Sequence, residues 1–341
     1  MVVPHRSLGL DIGGANLKAA LANGVAKEIA FPLWSKPDEL PDAISRLVEL
    51  APGHDSVAVT MTGELADCFE TKAEGVAAIV RAVVSAASGK DVQFYTTEGT
   101  FVEATQAVEQ WATVAAANWH ALARALGKRS GADTESLVID IGSTTTDIIP
   151  FSSAKGPMTC ALSDTQRLLS GQLLYQGVSR TPLCALVTHL PFRGEQCPVA
   201  AEFFATTGDV SLLLHHTPES YARNTADNRP LIQPYAIARL GRMICADGTQ
   251  FDYDDAVIAA RFVADAMERN LVQAISKQWK SIERLERIVL SGCGEWLGRR
   301  ALARLNLLPK AVSLADEIGR DAARCAPAWA VATLQDEWSR T

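Results

Sequence analysis

Two short stretches of this chain repeat each other. Asp11-Ile12-Gly13-Gly14-Ala15-Asn16-Leu17-Lys18 returns as Asp140-Ile141-Gly142-Ser143-Thr144-Thr145-Thr146-Asp147, an offset of 129 residues between positions 11 and 140. Each copy follows a short apolar run, Leu8-Gly9-Leu10 or Ser136-Leu137-Val138-Ile139, and continues into residues of extended character. The pattern is strand, tight turn, strand, with a carboxylate ending the first strand. A period of this size is that of a domain and far too long for a solenoid. At 341 residues the chain has room for two ordinary lobes and exceeds one small core. The repeat therefore predicts an α/β protein whose two related lobes face each other.

The rest of the chain fits around these anchors. Residues 39–50 have helical spacing through Ile44, Leu47 and Val48, and 55–62 read as a buried strand ending at Gly63. Helices are predicted over 72–88 and 104–127, the second Ala-rich with Trp111 and Trp119 as core residues. Six prolines, from Pro182 to Pro234, punctuate an irregular region at 160–255. A long helix over 253–283 precedes a third strand, Arg287 to Ser291, which runs into Gly292-Cys293-Gly294 and a helix near Glu295. Residues 316–338 read as a last helix or pair broken at Pro327. No low-complexity linker separates the lobes, so the hinge is compact.

Charge excludes several roles. Lys plus Arg number 32 against 39 Asp plus Glu, a net charge of −7, which argues against gripping nucleic acid or an anionic membrane. No run of 18 uncharged apolar residues appears, and Asp11 interrupts the N-terminus too early for a signal-peptide core. A cytoplasmic protein is expected. Seven cysteines with no Cys-x-x-Cys pair read as free thiols, Cys68 as a buried one. His120 reads as packing, and His215-His216 as a surface pair at a helix end.

The repeated turns carry chemistry. Glycine lets the backbone approach a ligand closely, and successive turn N–H groups form a concave anion site. A strand-end carboxylate can hold the Mg²⁺ of a polyphosphate, usually through water. Asp11 and Asp140, with Gly13, Gly14, Gly142, Ser143, Thr144 and Thr145, make a metal–phosphate clamp.

These loops and the third strand, Ile288 to Gly294, resemble the acetate and sugar kinase, heat-shock protein 70 and actin superfamily. Within it the chain resembles the hydantoinase/oxoprolinase-related family, in the group tied to tetrahydromethanopterin-linked one-carbon transfer. The marks are the two loops, Thr60 to Cys68, Gly177-Val178-Ser179-Arg180-Thr181-Pro182 and Pro191-Phe192-Arg193-Gly194. They cover about residues 8–230, and the C-terminal third matches loosely.

The resemblance implies two ribonuclease-H-like lobes of actin-like ATPase type with a cleft between them. The first lobe spans 1–130. The second spans 131–341, with 160–255 as a substrate-side insertion and the last helix free to return to lobe one. Asn16, Thr62 and Gly63 join the phosphate-binding set, and Gly292 and Gly294 form the nucleotide-type turn. That turn departs from the superfamily, whose glycines are usually adjacent. A diphosphate substrate without a nucleoside fits the departure, and ATP is left open.

Individual side chains acquire roles in this frame. Lys18 can neutralise a terminal phosphate, and Arg180 and Arg193 can fork onto phosphate oxygens. Glu64 or Asp147 can take a phenol proton. The activity implied is alkyl transfer in methanofuran-type cofactor biosynthesis, in which a tyramine- or tyrosine-type phenol displaces diphosphate from an aminomethylfuran methyl carbon. Rival readings are an ATP-dependent kinase or ATPase, a hydantoinase/oxoprolinase-like amide hydrolase driven by ATP, and a phosphate-metabolite sensor. A homodimer is left open.

Overall fold

Both copies of the repeat fold into the same arrangement of strands. A computed structural model describes residues 6–49, 53–87, 89–130 and 134–339. In the first copy β1 (Ser7–Ile12) turns into antiparallel β2 (Asn16–Leu21), which pairs with β3 (Ala26–Ala30). On the other side of β1 lie parallel β4 (Ser56–Met61) and β5 (Asp91–Tyr95), with antiparallel β6 (Phe101–Val102) at the edge. The sheet order is β3-β2-β1-β4-β5-β6. Strands β1 and β4 are buried at every residue, as apolar runs covered on both faces must be.

The second copy repeats the order. Strand β7 (Glu135–Ile141) turns into antiparallel β8 (Thr146–Ser152), which pairs with short β9 (Gly156–Pro157) and β10 (Leu173–Leu174). A separate hairpin, β11 (His189–Phe192) with β12 (Glu195–Pro198), lies within the 160–255 region. Parallel to β7 run β13 (Leu285–Ser291) and then β14 (Ala311–Ser313), giving the order β10-β8-β7-β13-β14.

Two helices sit between the sheets. Helix Ala326–Trp338 lies directly on β1: a Cβ at Gly9 would meet the Ala328 carbonyl oxygen at 1.8 Å, so only glycine admits this contact. Its Ala-Pro-Ala-Trp-Ala-Val-Ala face is thin enough for such an approach. Helix Asn118–Arg129 packs beside it and against β8. Their shared apolar layer takes Ala20 and Ala58 from the first sheet, and Val138, Ile149, Phe151 and Val289 from the second. This layer holds the ends of β1 and β7 towards one another.

The structure corrects several expectations. The helix expected over 104–127 is three pieces, Ala104–Glu109, Trp111–Val114 and Asn118–Arg129: Gln110 leaves helical geometry between the first two, and Ala116 takes a left-handed φ of 49° before the third. Trp111 is 38% exposed and not core, whereas Trp119 is buried. Pro327 does not break the last helix. It sits in that helix's first turn, where a missing N–H costs nothing, and the break falls before it. The expected lobe boundary at 130/131 abuts residues 131–133, which lie outside the described residues, as do the expected helix ends at 50 and 88. All seven cysteines are free.

Candidate active site between the lobes

Each Asp-Ile-Gly turn is closed in the same way. Gly13 N–H donates to the Asn16 carbonyl at 3.1 Å, and Gly142 N–H to that of Thr145 at 2.9 Å. In β1–β2 the strand register pairs Asp11 with Lys18, and in β7–β8 it pairs Asp140 with Asp147. The parallel neighbours match too: Gly63 N–H donates to the Ile12 carbonyl at 2.9 Å, and Gly294 N–H to the Ile141 carbonyl at 2.9 Å. Thr62-Gly63-Glu64 in one lobe is thus the counterpart of Cys293-Gly294-Glu295 in the other.

Electrostatics ties the four register residues into one cleft. Burial raises the Asp11 carboxyl to about 6, against the pull of Lys18 and with Glu28 and Asp147 adding to the rise. Burial works against the Lys18 ammonium, yet Asp11, Glu28 and Asp140 hold it up at about 12. Asp140 is likewise raised by burial, opposed by Lys18 and by a hydrogen bond from Ser291. Asp147 is raised by burial to about 6, opposed by Arg167.

Arg167 compensates Asp147 from outside the repeated segments. It is fully buried, ion-paired to Asp147, bonded to Asp164 at 3.1 Å and placed 4.5 Å from the Trp119 ring centroid. The capping box of Ser163 and Gln166 starts its helix, Asp164–Ser170, and is the only local signal that could have marked it.

The clamp residues suit a divalent cation. Asp11 Oδ1 is buried with no hydrogen-bond partner, so a ligand site on that oxygen is open. Among the described residues no group of three or more His, Cys, Asp or Glu side chains could cage a metal. Two carboxylates without a cage fit Mg²⁺, which keeps most of its waters and shares phosphate oxygens.

Glu64 lies in the turn after β4, not at a helix start. Its carboxyl is 1% exposed, Oε2 has no partner, and burial lifts its pKa to about 7 despite a backbone hydrogen bond; Asp164, Lys72 and Asp11 also act on it. The turn Gly292-Cys293-Gly294 packs behind the second loop. A Cβ at Gly292 would meet the Ile141 carbonyl oxygen at 2.3 Å and one at Gly294 the Ile141 side chain at 2.2 Å. Cys293 is exposed as a residue, and its thiol donates to the Ile141 carbonyl at 3.8 Å.

The two candidate arginines part company. Arg180 N–H donates to the Ser143 carbonyl at 2.9 Å, which places the residue on the rim of the second loop. Arg193 forms the turn between β11 and β12 and is spent there: it donates to the Gln250 carbonyl at 2.6 Å and to Asp255 at 3.4 Å. None of its contacts reaches either loop, which corrects its place in the phosphate set. Its spacing in a Pro-flanked loop resembled that of Arg180, but tertiary packing carried the hairpin to the 250–255 segment.

Two sheets of one topology, crossed by paired helices and presenting Asp-bearing turns to a shared cleft, define the two-lobed actin-like ATPase fold. Solved structures share it, including a PilM–PilN type IV pilus biogenesis complex, at TM-score 0.52 and 14% identity over 98% of this chain and 99% of that one. A nucleotide-free acetone carboxylase gives 0.53 at 10% identity over 97% of this chain and 70% of that one. The chain belongs to the hydantoinase/oxoprolinase family, which it matches over residues 55–335. A relative from Methanocaldococcus jannaschii is 34% identical over 334 residues, 96% of each chain, and is named (4-{4-[2-(gamma-L-glutamylamino)ethyl]phenoxymethyl}furan-2-yl)methanamine synthase. One from Methanococcus vannielii with the same name is 31% identical over 209 residues, 59% of this chain and 91% of that protein.

Proposed function

We propose that this chain is a condensing enzyme of methanofuran-type cofactor biosynthesis. It transfers an aminomethylfuran methyl group from diphosphate to the phenolic oxygen of a tyramine-type acceptor. The observation that carries this reading is the near full-length match, 34% over 96% of the chain, to a synthase whose name describes a phenoxymethyl link to a furan. That ether bond is the one the reaction makes.

Lys18 and the turn N–H groups other than those of Gly13 and Gly142 bind the diphosphate and stabilise the charge it gains on leaving. Asp11 and Asp140 would hold Mg²⁺, which supplies a Lewis acid for the leaving oxygens when bound. Glu64 takes the phenol proton as the phenolic oxygen bonds to the furan methylene and the carbon–oxygen bond to diphosphate breaks. A phenol loses its proton near pH 10 in water, so a base poised near 7 helps substantially. Asp147 is held by Arg167 and serves to orient the second loop, leaving Glu64 as the base.

A cavity of about 230 Å³ beside Gly292, lined by Glu295, Ala315, Arg320 and Arg324, favours the rival reading of an ATP-dependent kinase or ATPase. One assay separates the two. With an aminomethylfuran methyl diphosphate and tyramine or its γ-glutamyl derivative, the purified chain should release diphosphate only with Mg²⁺, at a rate declining as pH falls through about 7. ADP formation from ATP, with the ester untouched, moves the assignment to the rival.

A further inference from the structure

One contact across the cleft has no part in the clamp or the Gly292 turn. Leu33 N–H donates to the Gly14 carbonyl at 3.0 Å, so Trp34 starts at the rim of the first loop. Arg180 starts at the rim of the second, held by Ser143. Between the rims the Arg180 guanidinium lies over the Trp34 indole, 4.8 Å from the ring centroid. Trp34 is 41% exposed, Arg180 is exposed, and among the described residues no carboxylate pairs with that guanidinium. Leu33 also packs on Gly63, where a Cβ would come within 2.8 Å of Leu33 Cδ2. The residue that carries the indole is thus anchored through Leu33 to both the first loop and the turn that precedes Glu64.

An aromatic face at the mouth of an anion site already holds a cation here, and a ligand with a ring and a cation of its own can replace it. A guanidinium released beside a phosphate gains charge-assisted, forked hydrogen bonds that exceed an exposed cation–π contact. We propose that Trp34 and Arg180 form the recognition clasp for an aromatic diphosphate bearing an ammonium group. The ring stacks on Trp34 in place of the guanidinium, and Arg180 turns onto the distal phosphate. This rests on the diphosphate reading of the cleft. It makes Trp34 a specificity residue for the ring and Arg180 a phosphate ligand.

Binding without acceptor tests it, using an aminomethylfuran methyl diphosphate and inorganic diphosphate, each with Mg²⁺. Trp34→Ala should weaken the ester ~10-fold or more and leave inorganic diphosphate within about twofold, while Trp34→Phe keeps most of the ester affinity. Arg180→Ala should weaken both ligands. The clasp is overturned if Trp34→Ala leaves the ester within about twofold of wild type, or weakens both ligands equally. Wild-type protein that binds neither ligand overturns the diphosphate reading and the clasp with it. Wild-type protein that binds both, with no dependence on Trp34, sinks the clasp alone.

Discussion

The two Asp-bearing hairpins share a register and differ in what faces the carboxylate. In the first, Lys18 stands opposite Asp11 and has Glu28 on its other flank in β3, so the cation is built into the sheet. In the second, the same position is Asp147, and the compensating cation comes from Arg167 on a separate helix. The turns after β4 and β13 diverge in the same way. Glu64 is buried with an unpartnered oxygen, whereas Glu295 is bonded to Arg299 at 2.6 Å and accepts from Ser313 at 2.7 Å. The first lobe leaves the turn glutamate unpartnered, whereas the second pairs the corresponding one internally, and this asymmetry gives a duplicated fold a direction across its cleft.

The strongest way to break the comparison is to remove the cation of the second lobe. Arg167→Leu should destabilise the protein by about 3–5 kcal/mol in urea denaturation, because it leaves Asp147 buried without compensation. Adding Asp147→Asn should recover most of that loss. No recovery would mean that Arg167 acts through its packing on Trp119 and not through charge.

Next in size is loss of the pair that both lobes share. Asp11→Asn and Asp140→Asn should each retain the native circular dichroism spectrum and lower the rate of diphosphate release about 100-fold, roughly 2.7 kcal/mol of transition-state stabilisation. Rates within about twofold of wild type in both variants would remove the clamp from the mechanism.

The two glutamates should respond with opposite sign, and Glu295 gives the smallest effect. Burial raises the Glu64 carboxyl from 4.5 to about 7, so the folded state holds its proton more tightly than the unfolded chain does. That stabilisation is complete below about pH 4.5 and is lost as pH rises through about 7. Glu64→Gln, neutral at every pH, should therefore stabilise the protein by about 3 kcal/mol near pH 8 and add little near pH 4. Glu295→Gln should instead cost about 1 kcal/mol or less, through its lost ion pair. Equal pH profiles for the two variants would erase the distinction between the lobes.

Much of the site was legible because its parts are local. Asp11 and Asp140 come with their turns, and the turn hydrogen bonds lie within the repeated segments themselves. Arg167 was not legible: it lies 20 residues beyond Asp147 and meets it only because β10 and the helix before it fold back on β8. Trp34 and Arg180 are far apart in sequence and meet only in the tertiary structure.

The sequence by itself determined the duplication, the two strand–turn–strand units and the carboxylate at each strand end. Hydrogen-bonded turns and short apolar runs are short-range physics that a dozen residues specify. Only the tertiary structure decided which carboxylates were compensated. It buried Glu64 while leaving its oxygen unpartnered, sent Arg193 to the 250–255 segment and kept Arg180 at the cleft. Desolvation and charge pairing depend on every neighbour at once, and those neighbours come from distant parts of the chain.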